Sequence, residues 1–181
     1  MIGRSRTHVA MATVGSPVRC CWRVFVGVLL LTSIAVLLPA ALMVVLAVAV
    51  AVPGGVALNA LKPVAFVWLW WLVLPYCVHE WLYIAALSVG KGTTLLRVEV
   101  GLSRVSVAPV EALSAARAGG AAISGPVGTA VLGLAATPWM CHLGLPWWIS
   151  LPWMLHGMFL APFFGDGKSL VTSLKAHTSA R

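Results

Sequence analysis

The sequence predicts an all-α polytopic membrane protein with four transmembrane helices and a short cytoplasmic β-hairpin between the second and third. Three observations predict it. Hydrophobic residues make up 61% of the chain and charged residues only 9%, whereas a soluble domain carries roughly 25% charged residues. The apolar residues fall into four long runs. The basic residues alternate between rich and poor segments in step with those runs.

The runs cover about residues 24–52, 63–90, 119–140 and 146–165. Each meets the need for about 20 helical residues to cross a core of about 30 Å. The first carries no charge and the only formal charge in the second is Glu80; the third and fourth carry no Asp, Glu, Lys or Arg. Its first run is longer than the roughly 7–15 apolar residues of a cleaved signal, so a retained anchor is expected.

The net charge of +8 is a topology signal. Arg4, Arg6, Arg19 and Arg23 precede the first run, and only Lys62 follows it. Lys91, Arg97, Arg104 and Arg117 follow the second. The loop after the third run carries none, and Lys168, Lys175 and Arg181 close the chain. Cytoplasmic segments are the basic ones, so both termini are expected in the cytoplasm, as in a bacterial plasma membrane. Trp68, Trp70 and Trp71, with Trp139, Trp147 and Trp148, cluster toward the opposite face, where indoles settle at the interface. No aromatic-basic motif accompanies the charge, which excludes nucleic acid as a partner. The expected partners are the lipid bilayer and a membrane protein or peptide substrate.

Taken in order, residues 1–23 form a polar cytoplasmic tail. Cys20 and Cys21 sit beside the first span, either as inert thiols or as lipidation sites. Pro39 predicts a kink, and Pro53-Gly54-Gly55 ends the helix. Pro63 suits the first turn of the second span. Thr93 to Val100 and Arg104 to Val107 alternate polar and apolar residues, which predicts a hairpin over 93–108. A turn at Gly101-Leu102 sets Glu99 opposite Arg104. Residues 110–118 are expected as a short amphipathic helix. The third span opens on small residues, with Ser124 and Gly128 spaced for close helix packing. The membrane domain covers 24–167 and a cytoplasmic tail covers 168–181.

Chemistry is expected where ionisable groups lie in the spans, because leaving them there is costly. Those groups are His79 and Glu80 in the second run and Asp166 at the end of the fourth. His79 lies about 11 residues, roughly 16 Å, from the cytoplasmic end of its helix. Asp166 ends the fourth run on the same side, so the two are placed to converge. A histidine, a carboxylate and an adjacent Glu are the parts of a hydrolytic zinc site. As structural elements alone, His79 and Glu80 would be a buried polar pair bracing helices, and Asp166 a helix-terminal carboxylate.

From His79 onward the order of motifs resembles the site-2 protease family of intramembrane zinc metalloproteases. The matching segments are His79-Glu80-Trp81-Leu82-Tyr83, the hairpin of 93–108, Ile123-Ser124-Gly125-Pro126, and Leu160-Ala161-Pro162-Phe163-Phe164-Gly165-Asp166-Gly167. The resemblance covers about half the chain. It implies one zinc ion, His79 and Asp166 as ligands, Glu80 as general base, and a metalloendopeptidase acting on membrane-embedded or membrane-proximal peptides. The chain departs from the family at Tyr83, which stands where the HExxH motif has its second histidine. Tyr83 and His156 are the candidate substitute ligands. His156 is too far along a regular helix to join Asp166 unless that segment unwinds. His142, by the outer loop, is a weaker candidate. Two other readings stay open: an inactive homologue that binds membrane peptides, or an unrelated scaffold or transport accessory subunit.

Overall fold

A computed structural model describes residues 9–49, 54–89, 95–101 and 105–179. Pro53, Lys91, Thr93, Thr94, Leu102 and Arg104 lie outside the described residues, as do Arg4, Arg6 and Arg181. So does the side chain of Pro39.

The chain is mostly helical. Strand β1 (Val9–Gly15) leads into helix α1 (Pro17–Ala49). Helix α2 (Gly54–Val67) passes through a π-helical segment, Trp68–Val73, into α3 (Leu74–Ser88). Strands β2 (Leu96–Gly101) and β3 (Val105–Pro109) follow, then α4 (Ala115–His142). The last part comprises a 3-10 turn (Trp147–Ser150), α5 (Leu151–Leu155), a second 3-10 turn (His156–Leu160) and α6 (Gly165–Ser179). Among the described residues, two helical stretches, Lys62–Ser88 and Ala115–His142, are long and apolar enough to cross a membrane.

The π segment has a local cause with a long-range result. Leu74 N–H donates to the Leu69 carbonyl, five residues back. The Trp70 carbonyl thereby loses its α-helical donor. Its π-helical donor would be residue 75, but Pro75 has no N–H. The indole N–H of Trp153 fills the vacancy at 2.9 Å. Trp70 and Trp71 in turn both donate to the Ile149 carbonyl, each at 3.1 Å. This Trp clamp fastens the segment 147–155 to the helix that carries His79. Gly133 of α4 completes the fit, because a Cβ there would collide with Trp153.

The fourth apolar run is not one regular helix. Prolines at 146, 152 and 162 remove donors. Ala161, held ahead of Pro162, is extended at φ −62°, ψ 141°, as a residue before proline tends to be. The bend over 161–164 therefore places Asp166 in the first turn of α6 rather than at the end of a span. There the carboxylate faces the positive end of the helix dipole.

The sheet has three strands in the order β1-β2-β3, all antiparallel. The tail expected over 1–23 therefore contributes a strand and the first turns of α1. The hairpin forms, but Glu99 faces Ser106 and Val100 faces Val105. The pairing is two residues beyond a Gly101-Leu102 turn, and Glu99 instead pairs with Arg97 of its own strand at 2.8 Å. Burial sets this register: Leu96 and Val98 point into the core while Arg97 is exposed, the period of two of a half-covered strand. Val100 and Val105 pack on α1 at Gly27, where an added Cβ would lie 2.9 and 3.2 Å from them.

The core joins α1 (Cys20, Val24, Val28), α3 (Val73, Cys77, Ile84, Leu87), β2 (Leu96, Val98) and Ala121 of α4. Cys20 is fully buried, with its thiol toward the Leu96 and Gly15 carbonyls at 3.7 and 3.6 Å. That burial raises its pKa, and burial does the same for half-buried Cys21. Cys20 is thus an inert core thiol. The short helix expected over 110–118 is absent as a separate element. Residues 110–114 are irregular, and Ser114 caps α4 by accepting from Arg117 N–H at 3.4 Å, which satisfies an orphan donor of the first turn. Pro63 lies inside α2 rather than at its start.

Candidate functional site

Three elements deliver the site. α3 brings His79, Glu80 and Tyr83. The bend before α6 brings Asp166. β3 lies across the opening with Ser106 and Val107. Together with Gly165 and Ser169 these residues line a cleft of about 280 Å3.

His79 Nε2 lies 3.1 Å from Asp166 Oδ2. His79 is buried at 6% exposure, and Asp166 is partly exposed. Two glycines make the approach feasible. A Cβ at Gly125 would lie 3.0 Å from His79 Nε2, Cδ2 and its carbonyl oxygen, so a larger residue there would push His79 or α4 aside. A Cβ at Gly167 would overlap the Ala161 and Leu160 carbonyl oxygens, so the turn beside Asp166 also requires glycine. Ser124 Oγ lies 2.8 Å from the Ala121 carbonyl of its own helix and 3.3 Å from the Leu82 carbonyl of α3. The small-residue opening of α4 is therefore the seat of the histidine.

Glu80 and Tyr83 are half-buried and face the cleft. His156 does not line it. It lies behind His79 with ring centroids 5.6 Å apart at 54°, among Tyr76 and Phe159 at 5.2 and 5.1 Å. His156 Nδ1 is 2.8 Å from the Pro152 carbonyl. His156 Nε2 and His79 Nδ1 are both buried without a partner. The segment that carries His156 is a 3-10 turn over His156–Leu160 followed by an extended Ala161, not a regular helix. His142 is exposed at the end of α4, beside Trp139, and takes no part.

The His79–Asp166 pair suits a metal. Two ligands of one tetrahedral zinc, each about 2 Å from the ion, stand roughly 3.3 Å apart, close to the separation seen here. Among the described residues, no group of three or more His, Cys, Asp and Glu side chains is arranged to hold a metal ion as it stands. The pair fits; the set is one ligand short. Glu80 and Tyr83 are further oxygen-bearing side chains that line the same cleft.

Ser106, Val107 and Ser169 are cleft residues that the motifs did not mark. Ser169 is three residues from Asp166 on α6, and that spacing puts both on one helical face. Ser106 and Val107 follow only from the strand register. No protein-family model matches the chain, and no curated protein or solved structure is significantly similar to it.

Proposed function

We propose that this chain is an intramembrane metallopeptidase of site-2 protease type, crossing the membrane four times with both termini in the cytoplasm. The single observation that carries this is the approach of His79 Nε2 to Asp166 Oδ2, beside Glu80, in a cleft bordered by a β-strand.

His79 and Asp166 would hold one zinc ion. Bound there, zinc supplies a water of lowered pKa and polarises a peptide carbonyl. Glu80, next to His79 and open to the cleft, takes the proton from the attacking water and returns it to the leaving amine. Tyr83 borders the same space and offers a hydroxyl to the substrate. An extended peptide can pair with β3, whose outer edge has no strand neighbour among the described residues, and so lie across the cleft. Such pairing suits hydrolysis, since a helical peptide bond must unwind before it is attacked.

Protein purified gently in detergent should carry close to one zinc per chain. Glu80→Gln should abolish cleavage of an unfolded membrane-proximal peptide while the zinc remains. Metal-free protein that takes up no added zinc would sink the peptidase reading. In that outcome the position of Tyr83 favours a second reading, a peptide-binding homologue without catalysis. A crosslinked partner should then survive His79→Ala.

A further inference from the structure

We infer that the peptide this site takes is an extended segment of alternating apolar and polar residues, held in one frame by Val105 and Val107 of β3 and stopped by Pro109. The inference deepens, and rests on, the strand-pairing part of the reading above; it does not need zinc.

The phase of the hydrogen-bond ladder carries it. Val110 N–H donates to the Leu95 carbonyl at 2.9 Å. The register sets Leu96 opposite Pro109 and Arg97 opposite Ala108, so Leu95 and Val110 are a hydrogen-bonded pair. Such pairs alternate with non-bonded ones along an antiparallel ladder. Ser106 and Ala108 therefore turn their backbone groups toward β2. Val105, Val107 and Pro109 turn theirs to the outer edge, where no described strand lies. Pro109 agrees with this phase, because a proline within a sheet is confined to positions whose missing N–H faces outward. It also closes one end of the edge. Among the described residues, Val105 and Val107 are left to offer both a donor and an acceptor. Val107 borders the cleft with His79 and Asp166. An antiparallel peptide residue that exchanges both bonds with Val107 thus lies beside that pair.

The same frame decides where the side chains of the peptide point. Val107 stands opposite Val98 and Val105 opposite Val100. Val98 is buried, and Val100, Val105 and Val107 pack against the same core. Peptide residues paired with Val105 and Val107 share that apolar side, because directly opposed residues project to one face. The residues between them project to the other face, with Arg97, Glu99, Ser106 and Ala108, of which Arg97 and Ala108 are exposed. An apolar residue opposite Val107 with a polar residue on either side matches both faces. A helical segment does not, since its own ladder occupies its N–H groups.

The test uses the full chain in detergent micelles, with metal removed by a chelator. A short fluorescent peptide alternating valine and serine is followed by anisotropy. N-methylation of the valines removes the N–H groups that face β3 and should weaken binding about tenfold. N-methylation of the serines should leave it unchanged. A peptide of the same composition with its valines in one block should bind more weakly than the alternating one. Val107→Pro removes an outward N–H, spares the bonds to β2, and should weaken binding as N-methylation of the valines does. The two methylated series use the wild-type protein, so they decide the outcome if Val107→Pro does not fold. Equal losses in the two series, a larger loss in the serine series, or no binding of the alternating peptide overturns the inference. Zinc uptake without peptide binding defeats this inference alone. Peptide binding by a protein that takes up no zinc defeats the peptidase reading and leaves this one standing.

Discussion

Trp153→Phe should destabilise the protein through a carbonyl 83 residues away in the chain's own clamp, and Pro75→Ala should repair part of the damage. The Trp70 carbonyl has lost Leu74 as donor and cannot gain residue 75, so the Trp153 indole at 2.9 Å is its partner. Phenylalanine keeps an aromatic ring against Trp70, whose ring lies 5.0 Å from that of Trp153, but removes the N–H. The cost is a part-buried acceptor left unsatisfied, about 1–2 kcal/mol, plus the volume of the lost ring. Pro75→Ala returns an N–H five residues beyond Trp70, where a π-helical bond can form. In a double-mutant cycle, Pro75→Ala should therefore be worth about 1 kcal/mol more in the Trp153→Phe background than in the wild type. The assay is reversible unfolding in mixed micelles followed by circular dichroism. Additive effects, with no coupling between the two sites, would refute the explanation of the π segment.

Gly125→Ala should cost about 1–3 kcal/mol by overpacking and displace the His79 ring, lowering zinc affinity; unchanged affinity by chelator competition contradicts the seating of His79 on Gly125. Gly167→Ala should disturb the bend before α6 and reduce metal retention more than Gly120→Ala, since a Cβ at Gly120 meets nothing within 4 Å; equal retention by elemental analysis counts against it. For orientation, exposed Cys141 should react with a membrane-impermeant maleimide applied to intact cells, while Cys21 should not. Labelling from the cytoplasmic face alone would reverse the proposed topology. Buried Cys20, its pKa raised by burial, should stay unlabelled until the protein is unfolded.

Much of the site was legible because it rests on few residues. In a chain with four acidic side chains, His79 and Glu80 within an apolar run and Asp166 at the edge of another stood out as costly. Charge alternation put them within reach of one another, and the bend that brings Asp166 to His79 is a matter of packing. The hairpin was legible from its period of two, but its register was not, because Gly101-Leu102 looked like the turn while burial of Leu96 and Val98 decided the pairing. Strand β1 was hidden because its pairing partner lies far along the chain. The broken fourth run was written in three prolines, yet hydropathy alone averages over them. The place of His156 depended on that break, which is why a regular helix excluded it.

The pairing of β1 with β2 carries a constraint of parity. Val9–Gly15 and Leu96–Gly101 are hydrogen-bonded neighbours, so both must lie on the same side of any bilayer. The chain between them must then cross an even number of times. Lys62–Ser88 falls inside that interval and is long and apolar enough to cross. If it does, α1 must cross as well. In that case β1 leaves the ribosome first but stays without its partner until both crossings are complete and β2 has returned to the starting side, and the sheet becomes a latch that closes only on a correctly inserted helical pair.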